Sequence, residues 1–319
     1  MHGLTRRQAL RIGGAAIAIS AAGPPARATL RTPIDFAVPE GACDCHVHIV
    51  GDPARFPMAA DRVYTPPPAS PEMLLELHRA LHLERVVLIQ PSFYGADNAM
   101  LLDGLRRLGQ RARAVAVVGD AASDAELDAM AAAGVRGIRI NLETAGVLDP
   151  VVAEKKLQAA IVRCAPRGWH IQLYTRPAIL AALGERLAAA PVPLVFDHFA
   201  GAQAPQGLDQ PGFAVVLGLV RSGKAYVKIS AAYRASKAPY DDVVPLARAL
   251  VAANSDRILW GSDWPHTDST RIAGRAATDV SPFISIDDGM MLNQLPRWVP
   301  DAAARRKILA DNPARLYGF

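Results

Sequence analysis

The sequence predicts an α/β protein folded as a single (β/α)8 TIM barrel. Three observations carry this: short β-branched or apolar runs recur in order, helix-like stretches separate them, and acids and imidazoles collect where the runs end. The eight runs lie at 43–50, 85–90, 114–118, 137–141, 170–174, 194–198, 225–230 and 258–261. Helical stretches are expected at 71–83, 98–110, 124–133, 151–165, 177–190 and 242–253. Their starts carry capping signals: Ser70 before Pro71, Ser123 with Glu126 three residues on, and Asp149 before Pro150. Gly134 and Gly168 stand where helices should stop. Two stretches read as long irregular segments, Pro66 to Pro71 and His266 to Pro300, and both are candidate lids or substrate walls.

The first strand reads CDCHVHIV, with His46 and His48 two residues apart. Alternation along a strand sends both imidazoles to one side, so they approach one centre together. Such a pair can bind a metal ion or polarise a substrate oxygen. The sixth strand closes on Asp197 and His198, and the eighth runs into GSDWPH, which supplies Asp263 and His266. In a parallel barrel the carboxyl ends of the strands form the active-site face, so these positions are candidates for catalysis.

The amino terminus is a different kind of segment. Residues 5–11 read TRRQALR, an apolar run follows at 12–22, and Ala-Arg-Ala occupies 26–28. This is the pattern of a twin-arginine export signal, 1–28, cleaved before Thr29, and the apolar run is too short to span a bilayer. Ala9 stands where such signals usually carry Phe, which leaves the general secretory route as the alternative. Either route predicts a periplasmic protein whose mature part, 29–319, is one domain.

The chain's formal net charge is +5, but Arg6, Arg7, Arg11 and Arg27 all lie in the leader, which has no acid; the remainder carries +1. No Lys/Arg run tracks a nucleic acid or anionic lipid, so neither nucleic acid nor a membrane surface is an expected partner. The three cysteines, Cys43, Cys45 and Cys164, have neither C-x-x-C nor zinc-finger spacing, and Cys43 and Cys45 are badly placed to bridge each other. They read as small buried residues.

Taken together, DCHVHIVG at 44–51, RVYTP at 62–66, YGADN at 94–98, GVRGIRIN at 134–141, FDHFAG at 196–201, LWGSDWPH at 259–266 and DNPARLY at 311–317 resemble the amidohydrolase superfamily. Within it the chain is most similar to the 2-pyrone-4,6-dicarboxylate lactonases, across nearly all of the mature sequence. The resemblance implies a metal-dependent-hydrolase-like barrel that opens a lactone ring, with a small lactone or carboxylate as substrate. It implies Asp263 as the base that takes a proton from water, and His46, His48 and His198 as groups that stabilise charge on the carbonyl. Tyr64, Arg139, Tyr174, Arg234 and His266 are the implied substrate contacts.

The chain departs from the family pattern at Gly201 and Ala145, where arginines that grip carboxylates are expected. A lactone with fewer or differently placed anionic groups follows. The fourth strand ends in Arg139, Ile140 and Asn141, without the bridging Lys or Glu of binuclear members. The implied cofactor is therefore none, or a single divalent metal such as zinc on His46, His48, His198 and Asp263. A metal-dependent decarboxylase of the same superfamily is the alternative enzyme, and an exported small-carboxylate-binding protein is the alternative of another class.

Overall fold

The structure is a computed structural model that describes residues 31–270 and 273–319; the expected export signal lies outside the described residues. Eight parallel strands form one sheet in sequential order, β1 Cys43–Val47, β2 Arg85–Ile89, β3 Ala112–Ala116, β4 Val135–Asn141, β5 His170–Tyr174, β6 Leu194–Phe196, β7 Ala225–Ser230 and β8 Ile258–Gly261. The sheet closes on itself just beyond β8, where the Asp263 amide donates to the His46 carbonyl at 2.9 Å and the His48 amide donates to that of Trp264 at 2.8 Å. The expected (β/α)8 barrel is thus present.

Helices fill the outer layer between consecutive strands. Ser70 accepts from the Met73 amide, Ser123 and Glu126 form a reciprocal capping box, and Asp149 accepts from the Val151 amide. Gly134 and Gly168 adopt the left-handed conformation at helix ends. Three departures from the sequence reading have local causes. The single helix expected at 177–190 is two, Pro177–Ala182 and Gly184–Ala189, broken next to the weak helix former Gly184. A helix absent from the reading, Phe213–Arg221, connects β6 to β7. The segment expected to be irregular from His266 to Pro300 contains the short helices Asp288–Leu292 and Leu295–Trp298, the first capped by Asp287. Among the described residues no helix is long and apolar enough to cross a membrane.

Most apolar side chains pack between the sheet and its helices, whereas a smaller cluster, including Cys43, Cys45, Val87, Ile89, Val195 and Leu259, fills the barrel interior. The cysteines are free and buried. Tyr317 joins the interior cluster, and Asn312 donates to the carbonyls of Ser255 and Ile258 at the entry to β8. The DNPARLY motif therefore secures the amino-terminal end of the barrel, opposite the strand ends that carry the acids and imidazoles.

Simple alternation would put His46 on the face opposite Cys45. The β1–β2 register slips between Asp44 and Val47, and this bulge brings both Cys45 and His46 to the interior. Asp44 stabilises the bulge: one carboxylate oxygen accepts from the His46 and Ser262 amides, and the other lies 3.3 Å from His78 Nε2. β8 then presses onto β1 at Gly261, where a Cβ would lie 2.8 Å from the His46 Cβ.

Candidate active site

Each histidine of the site is held by its Nδ1 and presents its Nε2 to one carboxylate oxygen. His48 Nδ1 lies 2.8 Å from the Ile89 carbonyl, an acceptor only, so the ring carries its proton there and Nε2 is bare. His46 Nδ1 lies between Asp197 Oδ1, at 3.2 Å, and Lys228 Nζ, at 3.3 Å. His198 Nδ1 meets the Ser230 hydroxyl at 2.9 Å. The three Nε2 atoms stand 3.5, 3.8 and 3.7 Å from Asp263 Oδ1, for His46, His48 and His198 respectively.

All four residues are buried. Burial drives the imidazoles toward the neutral form, His48 down to about 3 and His198 to about 4, and His46 well below its ordinary value. For Asp263, burial pushes the carboxyl up, but the adjacent Arg234 guanidinium and the three imidazoles together outweigh it and hold the group well below the usual carboxylate range. Its Oδ2 accepts from the Tyr233 hydroxyl at 2.6 Å and Arg234 Nε at 2.7 Å. That fixes the carboxylate plane and leaves Oδ1 for the imidazoles. Asp263 sits at φ 64 and His198 at φ 49, left-handed backbone that non-glycine residues rarely adopt.

The separations around Asp263 Oδ1 are too long for hydrogen bonds, and His46 Nε2 is buried without a partner. A bare imidazole nitrogen such as His48 Nε2 and a carboxylate oxygen repel unless something positive lies between them. Tetrahedral zinc with bonds of about 2.1 Å has ligand-to-ligand edges of about 3.4 Å. His46, His198 and Asp263 each offer a ligand atom within 4.8 Å of the others, with His48 Nε2 beside them, so the donor set fits one divalent cation.

Beneath this cluster lies a second polar layer. Lys228 and Asp197 are completely or almost completely buried, with Nζ 3.3 Å from Oδ1. Lys228 also donates to Gln172 Oε1 at 2.7 Å, and Gln172 Nε2 donates to Asp197 Oδ2 at 3.0 Å. Burial alone would raise the Asp197 carboxyl, yet Lys228 and His46 hold it well below its ordinary value, so it stays ionised. Arg139 adds its Nε at 3.7 Å from Asp197 Oδ2.

A cavity of about 530 Å³ opens above the cluster, with His198, Tyr174 and Arg234 on its wall. The Tyr174 ring stands edge-on to His198, centroids 5.0 Å apart. Of the implied substrate contacts, Tyr174 and Arg234 border this cavity. Arg139 donates to the Gln90 carbonyl from a buried position over the Tyr174 ring. Tyr64 donates to Thr267 at 3.2 Å and borders a separate cavity. His266 turns its Nε2 to Asp288 Oδ1 at 3.1 Å and its Nδ1 toward Tyr233, away from the cavity wall. The sequence reading missed Tyr233, Ser230, Gln172 and Lys228. Lys228 has a readable signal: a lone Lys between Val227 and Ile229 in an otherwise apolar strand.

Comparison with known proteins agrees with this arrangement. A family model described as Amidohydrolase matches residues 43–319. A 4-sulfomuconolactone hydrolase of Rhizobium radiobacter is 36% identical over 93% of this chain and 95% of its own length. A 2-pyrone-4,6-dicarboxylate hydrolase of Comamonas testosteroni is also 36% identical, over 88% of this chain and 92% of its own. Among solved structures, a putative 2-pyrone-4,6-dicarboxylic acid hydrolase of Pseudomonas putida superimposes with a TM-score of 0.74 at 32% identity, covering 88% of this chain and 98% of that one. With a barrel of the expected order, the histidine pair on its first strand and the acid beyond its eighth, the chain belongs to the amidohydrolase family.

Proposed function

We propose that the chain is a hydrolase that opens a small, carboxylated lactone by attack of water. The observation that carries this is the convergence of Asp263 Oδ1 and three imidazole Nε2 atoms beside a cavity bordered by Tyr174 and Arg234, in a chain 33–36% identical to relatives named as lactone hydrolases.

Tyr174 and Arg234 position the lactone with its carbonyl toward His198. Asp263, ionised and fixed by Tyr233 and Arg234, accepts a proton from the attacking water. The new C–O bond forms at the carbonyl, the ring C–O bond breaks, and the proton passes to the leaving oxygen to give the open-chain acid. A carboxylate held so low is always ionised at neutral pH but is a weak base, so it needs an acidified water. We propose that His46, His48, His198 and Asp263 hold one divalent cation, zinc by donor chemistry, which would acidify that water and polarise the carbonyl when bound. We also propose that the mature protein is periplasmic, exported by the leader at 1–28; sequencing the amino terminus of the secreted protein tests this by the presence or absence of a start at Thr29.

Hydrolysis of a lactone panel by the mature protein tests the enzymatic reading. Turnover of a carboxylated lactone that collapses in Asp263→Asn supports it. Binding without turnover, or release of carbon dioxide from a carboxylated substrate, contradicts it.

A further inference from the structure

The cavity beside His198 carries three formal charges on its wall: Arg176, Arg234 and Glu143. Arg176, just beyond β5, and Glu143, just beyond β4, form a two-point ion pair, with Arg176 Nε 3.0 Å from Oε2 and Nη2 3.2 Å from Oε1. Arg234 has its Nε on Asp263 and its Nη2 on the Thr267 carbonyl at 3.0 Å, which leaves Nη1 for a ligand. The wall therefore has one net positive charge, and its other guanidinium, Arg176, is already occupied by a carboxylate of the protein.

The backbone prevents a simple remedy at Gly201. This residue borders the same cavity at φ +74, and a Cβ there would lie 2.3 Å from the Thr175 carbonyl oxygen. No side chain, cationic or otherwise, fits without moving β5's exit. Ala145, on the loop that also carries Glu143, brings no charge.

We propose that Glu143 determines the charge of the substrate: by occupying Arg176 it selects a lactone with a single anionic group, held by Arg234, over lactones with two. This rests on the lactone-hydrolase reading and deepens it. A dianionic lactone would have to displace Glu143 from Arg176 and then lie beside the freed carboxylate, and like-charge juxtaposition is an effective way to reject a competing ligand.

The test compares kcat and KM for a monoanionic lactone (muconolactone) and a dianionic one (2-pyrone-4,6-dicarboxylate) in the wild type, Glu143→Gln and the double variant Glu143→Gln/Arg176→Gln. The wild type should favour the monoanion. Glu143→Gln should raise kcat/KM for the dianion by about tenfold relative to the monoanion, as expected for one new charge-assisted contact. The gain should appear in KM and shrink with added salt, and adding Arg176→Gln should abolish it. Hydrolysis with a charge preference that Glu143→Gln leaves unmoved, or a wild-type preference for the dianion, overturns this inference and leaves the hydrolase reading intact. Hydrolysis of neither lactone, nor of any other in a wider panel, overturns both.

Discussion

Two polar layers lie one above the other inside the same barrel, and they differ in one respect. The lower layer, Asp197, Lys228 and Gln172, contains its own cation. The upper layer, His46, His48, His198 and Asp263 Oδ1, has no cation among its own members, and its nearest guanidinium, Arg234, is bound to the other oxygen of Asp263. A buried polar layer that compensates itself can act as scaffold, whereas one that gathers imidazoles around a carboxylate without its own cation is preorganised for something brought from outside. His46 connects them, with Nδ1 on Asp197 below and Nε2 in the cluster above. The lower layer thus orients a histidine of the proposed cation site, as outer partners commonly do for metal-binding histidines.

The sharpest way to break the comparison is to remove the upper layer's carboxylate. Asp263→Asn keeps the shape but loses the proposed proton acceptor, and kcat should fall by about 10²–10⁴, while urea unfolding should show a native-like cooperative transition. Unchanged turnover would remove Asp263 from the chemistry. In the lower layer the loss should appear in stability. Lys228→Met strands the Asp197 carboxylate in the barrel core, at a cost of about 3–5 kcal/mol in chemical unfolding; Lys228→Met/Asp197→Asn should recover much of this, since no isolated charge remains. If the double variant is no more stable than the single, the two residues are not an energetic pair.

A smaller effect comes from pH. Unfolded imidazoles protonate near 6.5, whereas burial holds those of His198 and His48 neutral in the folded protein down to about 4 and about 3. Below pH 6.5 the unfolded chain therefore binds more protons than the folded one. Stability should be full above that pH and fall on acidification, by up to about 1.4 kcal/mol per pH unit for each imidazole, until the folded-state values are reached. Urea midpoints between pH 7.5 and 5 check this, and a midpoint that does not fall with pH would show that the rings are already charged in the folded state.

Much of the upper layer was readable in the sequence because it obeys local rules. His46 and His48 are two apart on one strand, and His198 and Asp263 follow apolar runs that end abruptly, so the barrel's geometry brings them together. The bulge after Asp44 was not readable, since alternation assigns His46 a face and only pairing with β2 shows the slip. His266 shows the same limit. Its place beside Asp263 marks it as a site residue, yet left-handed backbone at φ 66 turns its ring to Asp288, a partner supplied by a helix far along the chain. The Glu143–Arg176 pair joins two loops with no pattern of their own, and only the closed barrel places them on one cavity.

The most direct test of the central claim is the metal content of the purified mature protein, measured together with hydrolysis of its preferred lactone before and after chelation. The account predicts close to one divalent ion per chain, activity lost on chelation and restored by zinc, and both properties lost in His46→Ala. Full lactone turnover by a metal-free protein would contradict the cation assignment and leave the imidazoles themselves as the groups that stabilise the carbonyl oxygen.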